Sequence, residues 1–297
     1  MTKAIDQYGG LVGYHETTQK LRSFFFARGF VEVDTQSRLS ILAACEDPTT
    51  IATFTLSGVK WPLPQTGQMW LEHELLRNPH VPGFFCATTS YRDEPNPIHG
   101  RHLKMFPLFE FETHGDMDVL QDLMANLFQY LGFGDKKTYQ DGNYADVAQK
   151  YGEAHVEADQ EELIQKDFGN VFFLKNFPWY THPFFNMKKS GEIANKIDAI
   201  LYGVETVGSA ERSCNTDEMY ELFHTISDGQ YAATLYKHFG KERVNKELKV
   251  FLNLDFIPRC GGGIGVSRLM RALELAQQET EQVAVHKTVG GAVGAEL

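Results

Sequence analysis

YRDEPNPIHGRHLKMFPLFEFE occupies residues 91–112, and its reading decides the fold. An arginine and two acids precede a loop with two prolines, and Arg101 and His102 lead back into a stretch of acids and aromatics. The pattern predicts two strands within 83–113, joined by a loop over 95–100. Side chains alternate faces along a strand. Phe106, Leu108, Glu110 and Glu112 therefore share one face. Met105, Pro107, Phe109 and Phe111 share the other, which is apolar enough to be core. Arg92 and Glu94, on the preceding strand, are likewise two apart. A face with Arg, Glu and Phe has two readings. It is an exposed, salt-bridged sheet surface, or it stacks a purine, bonds its edge and neutralises a phosphate.

Working outward, Leu21, Phe24 and Phe25 predict a helix over 15–28, closed by Gly29. A short strand follows over 30–33. Residues 49–64 contain a hairpin about Ser57-Gly58, and a helix over 67–77 ends near Asn78-Pro79. Asp116 caps a helix whose apolar stripe is Val119, Leu120, Leu123, Met124, Leu127, Phe128 and Leu131, and Gly132 stops it. Residues 135–168 are polar and read as peripheral helices. Strands are expected at 171–174, 183–188 and 197–202, and helices over most of 216–254. A last helix runs through Leu273, with a loosely packed tail over 286–297. Strands and helices do not alternate strictly. The expected class is α+β, a mainly antiparallel sheet flanked by helices.

The chain has 297 residues, 42% hydrophobic and 23% charged, which is ordinary globular composition. No run approaches the roughly 18 apolar residues of a membrane helix, and MTKAIDQYGG lacks the apolar core of a signal peptide. The expected location is cytoplasmic, away from membranes. Four cysteines stand far apart with no CxxC pair, which speaks against structural zinc and fits reduced thiols. A formal charge of -11 argues against a protein whose main task is to hold DNA or RNA.

Two further stretches are unusual. CGGGIGVSRLMRAL (260–273) has no G-K-[ST] and no Rossmann spacing. Its glycines permit tight strand-to-helix packing or close approach of a ligand, with Arg268 at the head of the following helix. NKIDAILYGVETVGSAERS (195–213) carries Asp198 and Glu205 seven apart. They are separate surface charges, or a turn near Tyr202-Gly203 brings both onto one hard cation. Arg212 lies seven residues further on.

Together these stretches resemble something specific. FVEVDT (30–35), SYRDE with RHLKMF and FEFE (90–112), and GGGIGVSR (261–268) are similar to motifs 1, 2 and 3 of the class II aminoacyl-tRNA synthetases. The nearest branch is the aspartyl, asparaginyl and lysyl group. PQTGQMWLE (64–72) is similar to a stretch of the asparaginyl enzymes. GVETVGSAER (203–212) resembles one shared by the aspartyl and asparaginyl enzymes. The likeness spans residues 15–275.

The resemblance implies ATP and Mg2+ as cofactors and catalysis by positioning and electrostatics. Arg92 would hold the α-phosphate, where a forked guanidinium matches phosphate oxygens. Glu94 would read the adenine edge, and Phe106 and Arg268 would enclose the base. Arg101 and His102 would meet the outer phosphates. Asp198 and Glu205 would hold magnesium. Thr66, Gln68 and Glu110 would surround the α-ammonium, with Arg212 and Glu72 facing the substrate side chain. The aspartyl enzymes carry a lysine in the stretch that here reads Trp70-Leu71-Glu72. Its absence, and a buried Glu72 facing a carboxylate, favour asparagine or another neutral side chain over aspartate.

Gln36 replaces the motif 1 proline, Met105 stands where many relatives have Glu, and Ser267 replaces the acid before Arg268. The Pro-Phe-Pro-Arg segment that follows motif 3 in relatives is missing. Motif 1 begins near residue 20, so the expectation is one catalytic domain over 1–297, without an anticodon-binding domain and homodimeric by resemblance. The function expected is formation of an aminoacyl-adenylate and transfer to an acceptor other than tRNA. Alternatives are a tRNA ligase reading only the acceptor end, an asparagine synthetase using ammonia, and a silent regulatory module. Arg92, Glu205 and Arg268 are all retained, which weighs against the last.

Overall fold

The computed structural model describes residues 10–44, 47–97, 103–181 and 183–292. A nine-stranded mixed sheet runs β1 (Val31–Glu32), β4 (Gly83–Tyr91), β5 (Met105–His114), β11 (Arg259–Gly265), β10 (Val204–Glu211), β9 (Ile193–Leu201), β7 (Val171–Pro178) and β6 (Gln140–Asn143). The short β8 (Lys189–Ser190) adds to β9. Only the edge pairs β1–β4 and β6–β7 are parallel. The expected antiparallel sheet is therefore present over its central strands. A separate hairpin joins β2 (Thr53–Leu56) to β3 (Val59–Pro62) through Ser57 and Gly58, both at positive φ as a type I′ turn requires.

One sheet face is covered by α1 (Gly10–Phe26), α3 (Met117–Leu131) and α9 (Val266–Ala292). Phe25 of α1 lies 5.6 Å from Phe109, which stacks on Phe85 at 5.1 Å. Phe109 and Phe111 belong to this core while Phe106, Leu108 and Glu110 line the opposite face, so the parity read from FEFE holds, but Met105 at the strand's start is 48% exposed and lies outside the core. Asp116 caps α3 by accepting from the amides of Asp118 and Val119, and Gly132 closes it in the left-handed region. Val119 departs from the expected stripe and is 45% exposed. A smaller cluster about Phe185 and Phe223 is built mainly by α6 (Thr216–Thr225), α7 (Gln230–Phe239) and α8 (Lys241–Leu252). The other sheet face, left open, carries the site.

Three expectations are corrected. Residues 183–188 form no strand. Phe184 and Met187 close a turn, and one bridge, Met187 to Arg212, touches the sheet. Within 135–168, α4 (Tyr144–Tyr151) and α5 (Ala158–Phe168) are helices, but Gln140–Asn143 is an edge strand. Its polar sequence gives no strand pattern, and pairing with β7 plus a 2.8 Å Lys175–Asp141 bridge secures it. The glycines 261–265 lie in β11, a central strand that leads straight into α9, in keeping with the tight strand-to-helix packing read from the sequence. A Cβ on Gly262 would stand 2.6 Å from the Gly208 carbonyl oxygen, so glycine is required where β10 presses on β11. The last helix continues past Leu273 to Ala292.

Candidate active site

The open face walls a cavity of about 680 Å³, a size suited to a small ligand. At one end Arg92, just past β4, places its guanidinium 5.4 Å from the Phe106 ring centroid and donates to Ser90 Oγ at 3.4 Å. Glu94 and Leu108 line the same wall. Arg268 enters from the first turn of α9, donating to the Glu205 carbonyl oxygen at 2.7 Å, with its carboxylate at 3.6 Å. Phe106 from β5 and Arg268 from α9 thus line one cavity.

The acid pair lies on the β9–β10 hairpin. Tyr202 and Gly203 take positive φ at its turn, and a bulge follows between Glu205 and Val207. Asp198 and Glu205 then face the same side above Gly208. A Cβ on Gly208 would lie 3.2 Å from Glu205 Oε1 and 3.7 Å from Asp198 Oδ1. Asp198 is 6% exposed, and its Oδ1 has no hydrogen-bond partner. Burial pushes this carboxyl up to about 7, against the pull of Lys196, whose Nζ is 2.6 Å from Oδ2. An unpartnered buried oxygen beside a second carboxylate suits a hard cation. Among the described residues no group of three or more His, Cys, Asp or Glu could hold a metal alone. Magnesium commonly takes one or two carboxylates and completes its shell with phosphate oxygens, so these residues fit it.

At the other end Glu110 is gripped by Thr66 Oγ1, by the Gly67 amide at 2.8 Å and by Thr88 Oγ1 at 2.6 Å. These donors hold a buried carboxylate in place at the cavity wall. Arg212 lines this end, donating to Glu112 from Nε and Nη2 at 3.4 Å each. Gln68 donates to Glu112 as well. Burial pushes Glu112 up to about 7, although Arg212 pulls it down.

Ten residues named from the sequence therefore meet around one cavity: Thr66, Gln68, Arg92, Glu94, Phe106, Glu110, Asp198, Glu205, Arg212 and Arg268. Arg101 and His102 lie outside the described residues. Glu72 departs from expectation. It is fully buried and does not line the cavity. Its Oε2 accepts from Arg259 Nε at 2.9 Å and Nη2 at 2.6 Å, and its Oε1 accepts from Asn186 at 2.6 Å. Neither these partners of Glu72 nor Lys196, which lines the cavity, was named from the sequence. Lys196 alone left a signal, two residues before Asp198 and so on its face of the strand.

This geometry can be set beside known proteins. A family model described as tRNA synthetases class II (D, K and N) matches residues 11–285. The chain belongs to this family. The class II chain resembles, by fold, the asparaginyl-tRNA synthetase of Pyrococcus horikoshii complexed with asparaginyl-adenylate. That likeness has a TM-score of 0.70 at 20% identity, over 90% of this chain and 65% of that one. A putative aspartyl-tRNA synthetase from Leishmania major Friedlin gives 0.67 at 16% identity, over 89% and 62%. An aspartate–tRNA(Asp) ligase of Pyrobaculum aerophilum is 28% identical over 115 residues, 39% of this class II chain and 24% of that protein. The chain thus spans less than two thirds of the length of these relatives.

Proposed function

We propose that this chain joins ATP to a small amino acid, releasing pyrophosphate and forming an aminoacyl-adenylate. The observation that carries this is the single cavity holding Arg92, Phe106 and Arg268 at one end and Glu110 and Arg212 at the other. In this reading Glu110 holds the α-ammonium, so the α-carboxylate points toward Arg92. That carboxylate attacks the α-phosphorus and the bond to pyrophosphate breaks. Arg92 stabilises the charge growing on the phosphate oxygens. Phe106 and Arg268 hold the base, and Glu94 its edge. Asp198 and Glu205 would hold Mg2+, which supplies charge neutralisation at the departing phosphates.

The side chain favoured is neutral and polar, asparagine in the first place. Glu72, Glu112, Arg212 and Arg259 sum to zero charge when ionised, and all four are buried. An amide enters beside them without leaving a charge unpaired, whereas a carboxylate must compete with Glu112 for Arg212. The acyl acceptor we propose is a molecule other than tRNA, in keeping with the -11 formal charge.

Pyrophosphate exchange with a panel of amino acids, with and without Mg2+, tests the reading. Asparagine-dependent exchange is expected, together with its loss in a folded Arg92→Ala variant. Exchange with aspartate alone would overturn the side-chain choice. No exchange with any amino acid would overturn activation itself, and charging of tRNA would overturn the acceptor.

A further inference from the structure

Lys196 lines the cavity yet has no part in the scheme above. It stands on β9 two residues before Asp198 and shares its face. Its Nζ lies 2.6 Å from Asp198 Oδ2 and 4.0 Å from the Phe177 ring centroid. The ammonium is thus held between a buried carboxylate and an aromatic face. The other Asp198 oxygen, Oδ1, is unpartnered and converges with Glu205 Oε1 over Gly208. Glu161 adds a third carboxylate behind them, accepting from the Glu205 amide at 2.7 Å. A divalent ion entering between Asp198 and Glu205 would meet the ammonium already on Asp198. Two cations on one carboxylate repel, and the long, flexible lysine stem can re-aim its ammonium. Phosphate oxygens arriving with the metal give the ammonium a new anion within the same cavity.

We propose that Lys196 is an exchangeable counterion: it neutralises Asp198 in the unliganded chain and turns to the phosphate oxygens when a metal–triphosphate enters. The proposal rests on the ATP-activation reading and adds a phosphate-binding residue to it. It makes two predictions of opposite sign, which a merely structural lysine would not produce. Lys196→Met, an uncharged side chain of similar length, removes a competitor for the metal. At mildly alkaline pH, electron paramagnetic resonance titration with Mn2+ alone should show about tenfold tighter binding. ATP binding by calorimetry with Mn2+ present should weaken about tenfold, because a charge-assisted phosphate contact is lost. Lys196→Arg, which keeps the charge, should retain the ATP affinity.

Unchanged affinities in Lys196→Met, or Mn2+ and ATP both weakened together, would overturn the Lys196 role. Wild-type Mn2+–ATP binding would then leave activation standing. Wild-type protein that binds neither Mn2+ nor Mn2+–ATP overturns both.

Discussion

Arg259→Met would strike a fully buried charge. Arg259 is fully buried, and its fork gives Glu72 Oε2 two bonds, at 2.9 and 2.6 Å, while Nη1 donates to the Ser213 carbonyl oxygen at 3.0 Å. Methionine fills much of the stem volume but returns none of these bonds. Glu72, itself fully buried, would keep only Asn186 at 2.6 Å and Arg212 at 3.9 Å. Removing one member of a buried ion pair costs about 3–5 kcal/mol, because the other charge is left without a partner. At roughly 2 °C per kcal/mol for a chain this large, the thermal midpoint should fall by about 6–10 °C. Glu72→Gln strands Arg259 in turn and should cost a similar amount. The double variant removes both charges and should recover much of the loss, with a coupling above about 2 kcal/mol in urea unfolding. A loss below about 1 kcal/mol in Arg259→Met, or strictly additive single variants, would refute the buried pair. So would Glu72→Gln raising the amino-acid KM with no loss of stability, since that is the signature of a substrate contact.

Gly208→Ala should keep the fold but weaken Mn2+ binding, because its methyl would stand 3.2 Å from Glu205 Oε1 and 3.7 Å from Asp198 Oδ1; a metal titration and a melting curve read the two effects apart. Gly262→Ala should destabilise by at least about 2 kcal/mol, measured by urea unfolding, since its Cβ meets the Gly208 carbonyl oxygen at 2.6 Å. Glu112 binds its proton more tightly folded than unfolded, up to about 7 from an ordinary 4.5. Its folded state therefore holds more protons across that window, and stability falls as pH rises through it, levelling above about 7. Asp198, also raised to about 7, adds to the same slope. Glu112→Gln should flatten the pH dependence of unfolding over that range without abolishing it.

Local sequence determined the parts that depend on neighbours along the chain. The Ser57-Gly58 hairpin, the Asp116–Gly132 helix limits and the division of FEFE into core and cavity faces all follow from short-range sterics and period-two alternation. Ten of the cavity-lining residues were named as well, their roles through the family resemblance, because the motifs that carry it are local in the sequence. Tertiary structure alone decided the rest. Glu72 is separated from Arg259 by 187 residues and from Asn186 by 114, so no periodicity could show that its oxygens were already taken. Gln140–Asn143 became a strand through pairing with β7 and not through its own composition. The glycine run left two readings open on paper, tight packing or a close ligand, and its place as a central strand follows from what it accommodates, the backbone of the strands on either side. Charge pairing and close packing are settled by proximity in space, and proximity is what a one-dimensional pattern does not carry.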